Sequence, residues 1–457
     1  MPMMSGFANA FRIAELRKKI LITLGLVFVC RLIAQIPTPG VLAGALREIV
    51  EAGQTEGGSL LGWFDVFTGG ALSQCGIGFL SIWPYISAQI VIQLLSSVVP
   101  VLEKYKREGE TGRAKLAEIT RLLTIVLCIA QSWAISSALM NPSSLGLPES
   151  LQLVANPGFG FQAMTVLGMT TAALFVMWVA DQITTHGIGN GASLIIMINI
   201  ASRLPTAIAV GYSHYTANEI PMLSAVTQVG LLVIFGFAVV MGTVMLTQGM
   251  RKVPIHTTRR SVSGGAGFGL KQTYMPLRVN YTGVMPIIFA QPLISFPAAF
   301  MARIDPDATG VRGVLREIGV HLQSGAAHTV VYAVLIVFFA FFWVATQFNA
   351  IEISENLKKE GSYVPGIRPG RATAEYLDAV MTRVTLIGAT GLLVVALIPE
   401  LMSNLMGVPW VVSSFFGGTS LLIIVGVALD TLRIMESHLL VRKYEGFLRH
   451  GTIHGRR

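Results

Sequence analysis

Residues 64–95 have the sequence FDVFTGGALSQCGIGFLSIWPYISAQIVIQLL, which is apolar but repeatedly broken by glycine. Four glycines fall between residues 69 and 78, and Pro84 follows them. Irregular backbone at membrane depth is tolerated only where protein or a water-filled cavity surrounds it, because lipid offers no hydrogen-bond partner. The pattern therefore predicts a short half-helix over about 70–79, then a spanning helix that begins near residue 82. A single helix kinked by its glycines is the alternative.

The whole chain has the composition of an all-α, polytopic membrane protein. Of its 457 residues, 53% are hydrophobic and 12% are charged, whereas a soluble protein carries about 25% charged residues. A spanning helix needs about 20 mostly apolar residues. Ten segments are candidates: 20–36, 80–99, 120–140, 163–181, 192–210, 224–248, 283–301, 328–348, 382–402 and 413–433. Because the fifth is the least hydrophobic, a chain of nine spans is an open alternative.

The basic residues between these segments predict the orientation of the chain. With a cytoplasmic N-terminus, the inner connections and tails hold 26 of the 33 lysines and arginines, and the outer connections hold 5. Positive charge concentrates on the cytoplasmic side of membrane proteins. Both termini are therefore predicted to be cytoplasmic. The net charge of +9 is explained by basic loops on one membrane face, so DNA is not expected as a partner.

Two inner connections, 249–282 and 349–381, are candidates for a binding surface. The first carries six basic residues and no acid, and the second contains KKEGSYVPGIRPGR at 358–371. Because proline fixes φ and glycine relaxes it, this stretch predicts a shaped turn instead of a slack linker. A cationic surface of this kind suits an acidic protein surface or RNA phosphate. The alternative is that the charges only fix the topology.

The sequence indicates no catalytic, cofactor or metal site. Its three cysteines, Cys30, Cys75 and Cys128, have neither metal-ligand nor disulfide spacing. The stretch GGAGFG at 264–269 lacks the spacing of a nucleotide-binding loop. We therefore expect a protein that is not an enzyme, with no cofactor and no metal.

Charged residues are rare within the apolar segments. Arg31, Asp181, Arg383, Glu400 and Asp430 lie near predicted span ends, and no acid lies convincingly in the middle of a span. Charges at membrane depth are typical of ion-coupled carriers, so their scarcity argues against that function. Interrupted helices also occur in transporters. A secondary transporter of small solutes is therefore the alternative function.

Several motifs resemble those of the SecY family of protein-conducting channels, in the family's order and from about Phe11 to Gly446. They are FRIAELRKKI with IPTPGV, FTGGALS, PYISAQIVIQLL, KREGETGRAKLAEITR, DQITTHGIGNGASLII, PLRVNYTGVMPIIFA, NLKKEGSYVPGIRPG, MTRVTLIGA and FFGGTSLLIIV. The resemblance implies a single membrane channel domain with two pseudo-symmetric inverted halves of five spans around an hourglass pore. The halves are about 20–210 and 224–433, and a cytoplasmic tail follows at 434–457.

A pore ring and a plug are also implied by the resemblance. The plug is at about 64–79 and includes Gly69, Gly70, Ala71, Leu72, Ser73 and Gly76. The ring is a girdle of aliphatic side chains, which here are Ile82, Ile86, Ala192, Ile196, Ile288 and Ile423. Ala192 is smaller than the isoleucine often found there, so Leu194 is expected to compensate or the ring to be wider. As a constriction, the ring is expected to be only partly buried.

The family also implies a lateral gate between the second and seventh spans, and docking loops that face the cytoplasm. The expected polar residues of the gate are Ser87, Gln131 and Gln291. The basic residues that match the docking loops are Arg251, Lys252, Arg259, Arg260, Lys358, Lys359, Arg368 and Arg371. The implied partners are SecE, SecG, the SecA motor ATPase, the ribosome, signal peptides, unfolded preproteins and membrane lipids.

These expectations combine into a passive channel in the cytoplasmic (inner) membrane of a bacterium. Such a channel translocates unfolded preproteins and inserts membrane proteins, and a partner supplies the energy. A membrane scaffold without a pore is a third possibility, but the glycine-broken segment disfavours it.

The distribution of basic residues predicts where reporter domains would lie. Reporters fused near residues 110, 265 and 365 should all report a cytoplasmic position, because these sites lie in the three most basic inner connections. Alkaline phosphatase and fluorescent-protein fusions measure the two sides of the membrane. A periplasmic signal at 265 would contradict the ten-span topology.

Overall fold

The computed structural model describes residues 13–42, 68–71, 74–142, 153–217, 222–257, 273–302, 304, 309–323, 325–406, 408–416 and 418–450. Over these ranges the chain is mostly helical. It divides into two compact units, of which the first contains Met1–Ser213 and Val427–Arg457 and the second contains His214–Gly426. The two inverted halves implied by the resemblance stay a prediction.

The first unit is built from long helices and one 3-10 turn. Its elements are α1 (Ala14–Gln35), η1 (Ile77–Leu80), α2 (Trp83–Val98), α3 (Pro100–Arg107), α4 (Glu110–Met140), α5 (Phe159–His186), α6 (Gly191–Ala201), α7 (Leu204–Ala217) and the later part of α15 (Gly418–His450). Helix α5 packs against α1, α4, α6 and η1. The turn η1 is therefore held between α1 and α5.

The second unit combines helices with a small sheet. Its elements are α8 (Met222–Gln248), β1 (Met250–Thr257), β2 (Thr273–Arg278), α9 (Met285–Ala302), α10 (Val311–Gln323), α11 (Ala326–Gln347), α12 (Ala350–Lys359), β3 (Ser362–Tyr363), α13 (Arg371–Met406), α14 (Trp410–Phe416) and the first turns of α15. Helix α11 packs against α9 and α13, and α12 packs against α13.

Each of the ten predicted spans overlaps a helix, but eight stretches of the described chain are long and apolar enough to cross a membrane. The first and seventh predicted spans are not among the eight. They correspond to α1, which begins with charged residues and carries Arg31, and to α9, whose apolar part is shorter. The fifth is among them as Gly191–Thr216, although the helix is interrupted between α6 and α7.

The half-helix expected over about 70–79 is a tight turn in the structure. Gly69 and Gly70 have φ values of 68° and 90°, and Cys75 has a φ of 50°. These left-handed conformations are incompatible with a continuing right-handed helix. Only the last part of the stretch is helical among the described residues, as the four-residue η1. The spanning helix α2 then begins at Trp83, close to the predicted residue 82.

A three-stranded antiparallel sheet, in the order β2-β1-β3, joins the two cationic connections. Strand β1 pairs with β2 from Met250↔Arg278 to Ile255↔Thr273, and its end pairs with β3 through His256↔Tyr363 and Thr257↔Ser362. The sequence predicted a shaped turn within 358–371 but none of these strands, so the sheet is a feature that it did not reveal. The two connections form one folded surface of the second unit.

The sheet is fixed to the helices by one apolar face. Val253 of β1 and Leu277 of β2 are buried, as is Val364, which follows β3. They pack in one cluster with Val380 and Met381 of α13. Arg251 and Lys252 remain exposed. The sheet therefore holds these cations on a rigid base.

Candidate functional site

The segment expected to form a plug is tied into the first unit by backbone hydrogen bonds. The Gly76 N–H donates to the Ala71 carbonyl at 2.7 Å, and the Ile77 N–H donates to the Ile36 carbonyl at 2.8 Å. The Cys75 carbonyl accepts from the Thr38 N–H at 2.7 Å. The broken backbone thus finds its partners in the chain that follows α1, as irregular backbone in an apolar setting must.

Glycine is required at position 76 by a close approach. A Cβ there would meet the backbone carbonyl of Ala34 on α1. Gly69, Gly70 and Ala71 are also buried in the first unit. The expected plug residues Leu72 and Ser73 lie outside the described residues.

A partly buried polar cluster surrounds Gly69 and was not predicted from the sequence. Both terminal nitrogens of Arg31, Nη1 and Nη2, donate to the Gly69 carbonyl at 3.2 Å. Arg31 Nη1 also lies 3.4 Å from Asn199 Oδ1, and Asn199 Nδ2 donates to Ser81 Oγ at 3.0 Å. Ser202 Oγ lies 3.5 Å from the same Gly69 carbonyl. The sequence identifies Arg31 only as a charge near the end of a predicted span. No local sequence pattern indicates a role for Asn199.

The six expected ring residues lie within the first two turns of α2, α6, α9 and α15 or at their N-caps. Left-handed residues precede three of these helices: Ser81 before α2, Gly189 before α6 and Gly283 before α9. Each of these residues interrupts the backbone before a new helix starts, so the expected ring positions of α2, α6 and α9 lie shortly after a break.

The burial of the ring differs from the expectation. Ile82, Ile86, Ile288 and Ile423 are only 3%, 7%, 5% and 1% exposed, so the expected partial burial is wrong for these four. Ala192 and Ile196 are half-buried, and the neighbouring Leu194 is buried. A polar substitution at a buried position therefore costs the full apolar term, about 1.5–3 kcal/mol. The assembly of the six into one ring stays a prediction, because they belong to both units.

The three expected gate residues occupy helices of the two units. Ser87 of α2 and Gln131 of α4 are half-buried, and Gln291 of α9 is buried. Gln291 Nε2 donates to Ser295 Oγ at 3.3 Å. The Oε1 atoms of Gln131 and Gln291 have no hydrogen-bond partner among the described residues. A buried acceptor left unpaired costs about 1–3 kcal/mol.

The expected docking cations are exposed on the second unit. The described members are Arg251, Lys252, Lys358, Lys359, Arg368 and Arg371, and each is exposed. Arg259 and Arg260 lie outside the described residues. Arg371 Nε makes an ion pair with Glu375 at 3.1 Å, and both side chains remain exposed.

The turn that carries Arg368 has a fixed shape. Gly366 and Gly370 take left-handed φ values of 80° and 106°. The Ile367 N–H donates to the Val364 carbonyl, and Thr373 Oγ1 donates to the Arg368 carbonyl at 2.9 Å. Ser354 Oγ, on α12, donates to the Gly370 carbonyl at 2.6 Å. The shaped turn expected at 358–371 is present, and it presents an exposed arginine from a pinned backbone.

Asp181 bears on the alternative of an ion-coupled carrier. Its Oδ2 accepts from Arg121 Nη2 at 2.7 Å, in a partly exposed ion pair. The charge of this carboxylate already has a partner within the protein. This pair therefore gives the transporter alternative no support.

Comparison with known protein families decides the relationship that the motifs suggested. The family model SecY matches residues 77–432, which is most of the chain. The chain belongs to the SecY family. The resemblance found in the sequence motifs is therefore confirmed over the greater part of the chain.

Curated relatives in this family match over almost their full lengths. Protein translocase subunit SecY of Escherichia coli strain K12 is 39% identical over 444 residues, covering 97% of this chain and 96% of the relative. Protein translocase subunit SecY of Streptomyces griseus is 41% identical over 456 residues, covering 98% and 100%.

Two solved structures share the fold. One is described as the structure of a protein conducting channel, with a TM-score of 0.62 and 15% identity. The other, Sec61 in the canine ribosome-channel complex from the endoplasmic reticulum, has a TM-score of 0.59 and 15% identity. Each covers 96% of this chain and 95% of its own. The all-α membrane-protein fold that the sequence predicted is therefore the fold of the SecY family.

The unpaired oxygen of Gln131 leads to a prediction about stability. Gln131→Leu should leave the melting temperature unchanged or raise it, because it removes an acceptor that has no donor in the part of the chain that the structure describes. Gln162→Leu is the matched control, since Gln162 Nε2 donates to Ser137 Oγ at 2.9 Å in the same unit. It should destabilise the protein by about 1–2 kcal/mol. Thermal unfolding of the detergent-solubilised protein measures the stability of both variants. A clear loss of stability in Gln131→Leu would contradict the assignment of Gln131 Oε1 as an unpaired acceptor.

Proposed function

We propose that the chain is the channel subunit of a bacterial protein translocase. It would pass unfolded preproteins across the cytoplasmic membrane and release apolar segments into the lipid, with both termini in the cytoplasm. The observation that carries this proposal is the 39% identity to a protein translocase subunit over 97% of the chain. The aligned region includes every helix, strand and turn that holds an expected site residue.

In this proposal, the ring is the constriction through which the unfolded chain passes. Five of its six residues are isoleucine and the sixth is alanine, so the constriction offers no hydrogen bonds to water. Such a constriction excludes water and ions by dewetting. It also makes no sequence-specific contacts, so an unfolded chain of any composition passes once the side chains separate. The lack of hydrogen-bonding groups in the ring would therefore explain both the broad range of substrates and the tight seal.

Plug and gate control access to that ring. The turn around Gly69 belongs to the plug, which would block the closed pore and leave when a client enters. Gln131 and Gln291 would line the lateral gate, where their unpaired carbonyl oxygens are available to polar groups of a passing segment. Pairing such groups offsets the cost of leaving them unpaired. Apolar segments would leave by this route because lipid solvates them better than the pore does.

The sheet and the Arg368 turn form the cytoplasmic docking surface. Their exposed cations suit the acidic surface of the SecA motor ATPase or the phosphates of the ribosome. Arginine pairs with carboxylate and phosphate through a planar fork of donors. One relative by fold is described in a complex of ribosome and channel, which supports the ribosome as a partner. SecE and SecG would complete the complex in the membrane.

Arg368→Glu tests the proposal. The complex with SecE and SecG is reconstituted in proteoliposomes, and SecA with ATP drives a preprotein into a protease-protected state. At limiting SecA the variant should translocate roughly tenfold more slowly or worse, because one charge-assisted contact contributes about 1.5–3 kcal/mol. The pinned backbone of the turn makes an effect through misfolding small.

The matched control is Arg113→Glu, which changes the net charge equally at an exposed residue of α4. It should translocate at the wild-type rate. Wild-type rates in both variants would refute docking at Arg368. Failure of the wild-type complex to protect any preprotein would refute the channel function itself.

A further inference from the structure

The carbonyl of Gly69 collects donors from two separate helices of the first unit. Arg31 of α1 places both Nη1 and Nη2 at 3.2 Å from it, and Ser202, just after α6, places its hydroxyl at 3.5 Å. Asn199 of α6 contacts Arg31 Nη1 at 3.4 Å and so connects the two helices through the guanidinium. We call Arg31, Gly69, Asn199 and Ser202 the Gly69 latch.

The latch is extended to the start of α2. Asn199 Nδ2 donates to Ser81 Oγ at 3.0 Å, and both residues are buried. Ser81 also has a left-handed φ of 46° and immediately precedes Ile82 of the expected ring. The amide of Asn199 therefore links the Gly69 turn, through Arg31, to the residue that starts the ring-bearing helix.

The fit around Gly69 leaves no room for a side chain. A Cβ at position 69 would collide with Arg31 Nη1 and would lie 3.1 Å from the Asn199 backbone. The φ of 68° at Gly69 also favours glycine. Close packing and left-handed backbone together place the carbonyl where the guanidinium reaches it.

The charge of Arg31 strengthens the latch. Hydrogen bonds from a charged donor in a low-dielectric setting are stronger than neutral ones. Arg31 makes three such contacts, two with the Gly69 carbonyl and one with Asn199 Oδ1. The guanidinium is therefore the strongest donor of the latch.

We propose that Arg31, Asn199 and Ser202 are positioning residues that hold the Gly69 turn in the closed state and set the threshold at which a client opens the channel. This inference rests on the proposed function, because it assigns the plug role to that turn. It adds specific residues on α1, on α6 and just after α6 whose side chains control the resting state.

Asn199→Ala and Arg31→Lys test the latch, because each variant removes a different one of its hydrogen-bonding groups. Asn199→Ala removes the bridge to Arg31 and to Ser81. Arg31→Lys keeps the positive charge but replaces a planar fork by a single ammonium. Ser136→Ala is the matched control, because its buried hydroxyl in α4 donates to the Trp133 carbonyl of its own helix.

Two readouts follow the closed state directly. The first is ion leak through the reconstituted complex without a client. The second is labelling of Cys75 by a maleimide, followed by peptide mapping to separate it from the other cysteines. Cys75 is 6% exposed, and burial raises the pKa of its thiol to about 11, so it should react slowly in the closed state.

Both latch variants should raise the leak and the Cys75 labelling rate by roughly tenfold, the equilibrium shift expected for the loss of one charge-assisted hydrogen bond. Ser136→Ala should match the wild type in both. If Asn199→Ala unfolds early on heating, Ser202→Ala, which removes one hydroxyl, decides the outcome and should show a smaller rise in the same direction.

Wild-type leak and labelling in Arg31→Lys and in the folded member of the other two variants would overturn the latch. The preprotein translocation assay on the same wild-type preparation separates this outcome from a failure of the channel function. An active wild type with unaffected variants refutes only the latch. A wild type that is inactive with its motor present refutes the proposed function instead.

Discussion

A backbone that leaves its helix inside an apolar protein must still find a partner for every N–H and carbonyl. In the first unit this constraint falls on the glycine-broken stretch between Gly69 and Ser81. Among its described residues, backbone groups pair with the chain that follows α1, as in the bond between the Ile77 N–H and the Ile36 carbonyl. The Gly69 carbonyl is paired with the half-buried Arg31 of α1. Ser202, just after α6, adds its hydroxyl to the same carbonyl.

The same constraint explains where the ring residues stand. A helix that starts inside the protein needs a break before it, and the breaks before α2, α6 and α9 are made by left-handed residues. The expected ring isoleucines of these three helices lie at the N-cap or in the first two turns, close to the break. The burial of four ring residues, down to 1% exposure at Ile423, means that the contacts proposed to seal the pore would also be packing contacts.

Much of this was predictable from the sequence, and the failures have physical causes. All ten predicted spans overlap helices, and for eight of them apolar length is sufficient by itself. The half-helix over 70–79 was wrong because helix propensity carries no information about the close approach of Gly76 to Ala34. The sheet was missed because β1 and β3 are far apart in sequence and β3 has only two residues. The latch was missed because Arg31 and Asn199 are separated by 168 positions, so no local pattern connects them.

The central claim is that a buried apolar ring seals the channel, and conductance tests it most directly. Ile423→Asn is compared in planar bilayers with Ile387→Asn, since Ile387 of α13 belongs to the same unit but is 64% exposed. A polar group in the ring should admit water and lower the dewetting barrier. The account predicts a large rise in ion leak for Ile423→Asn and none for Ile387→Asn. Equal leak in wild type and Ile423→Asn, with both proteins folded, would contradict it.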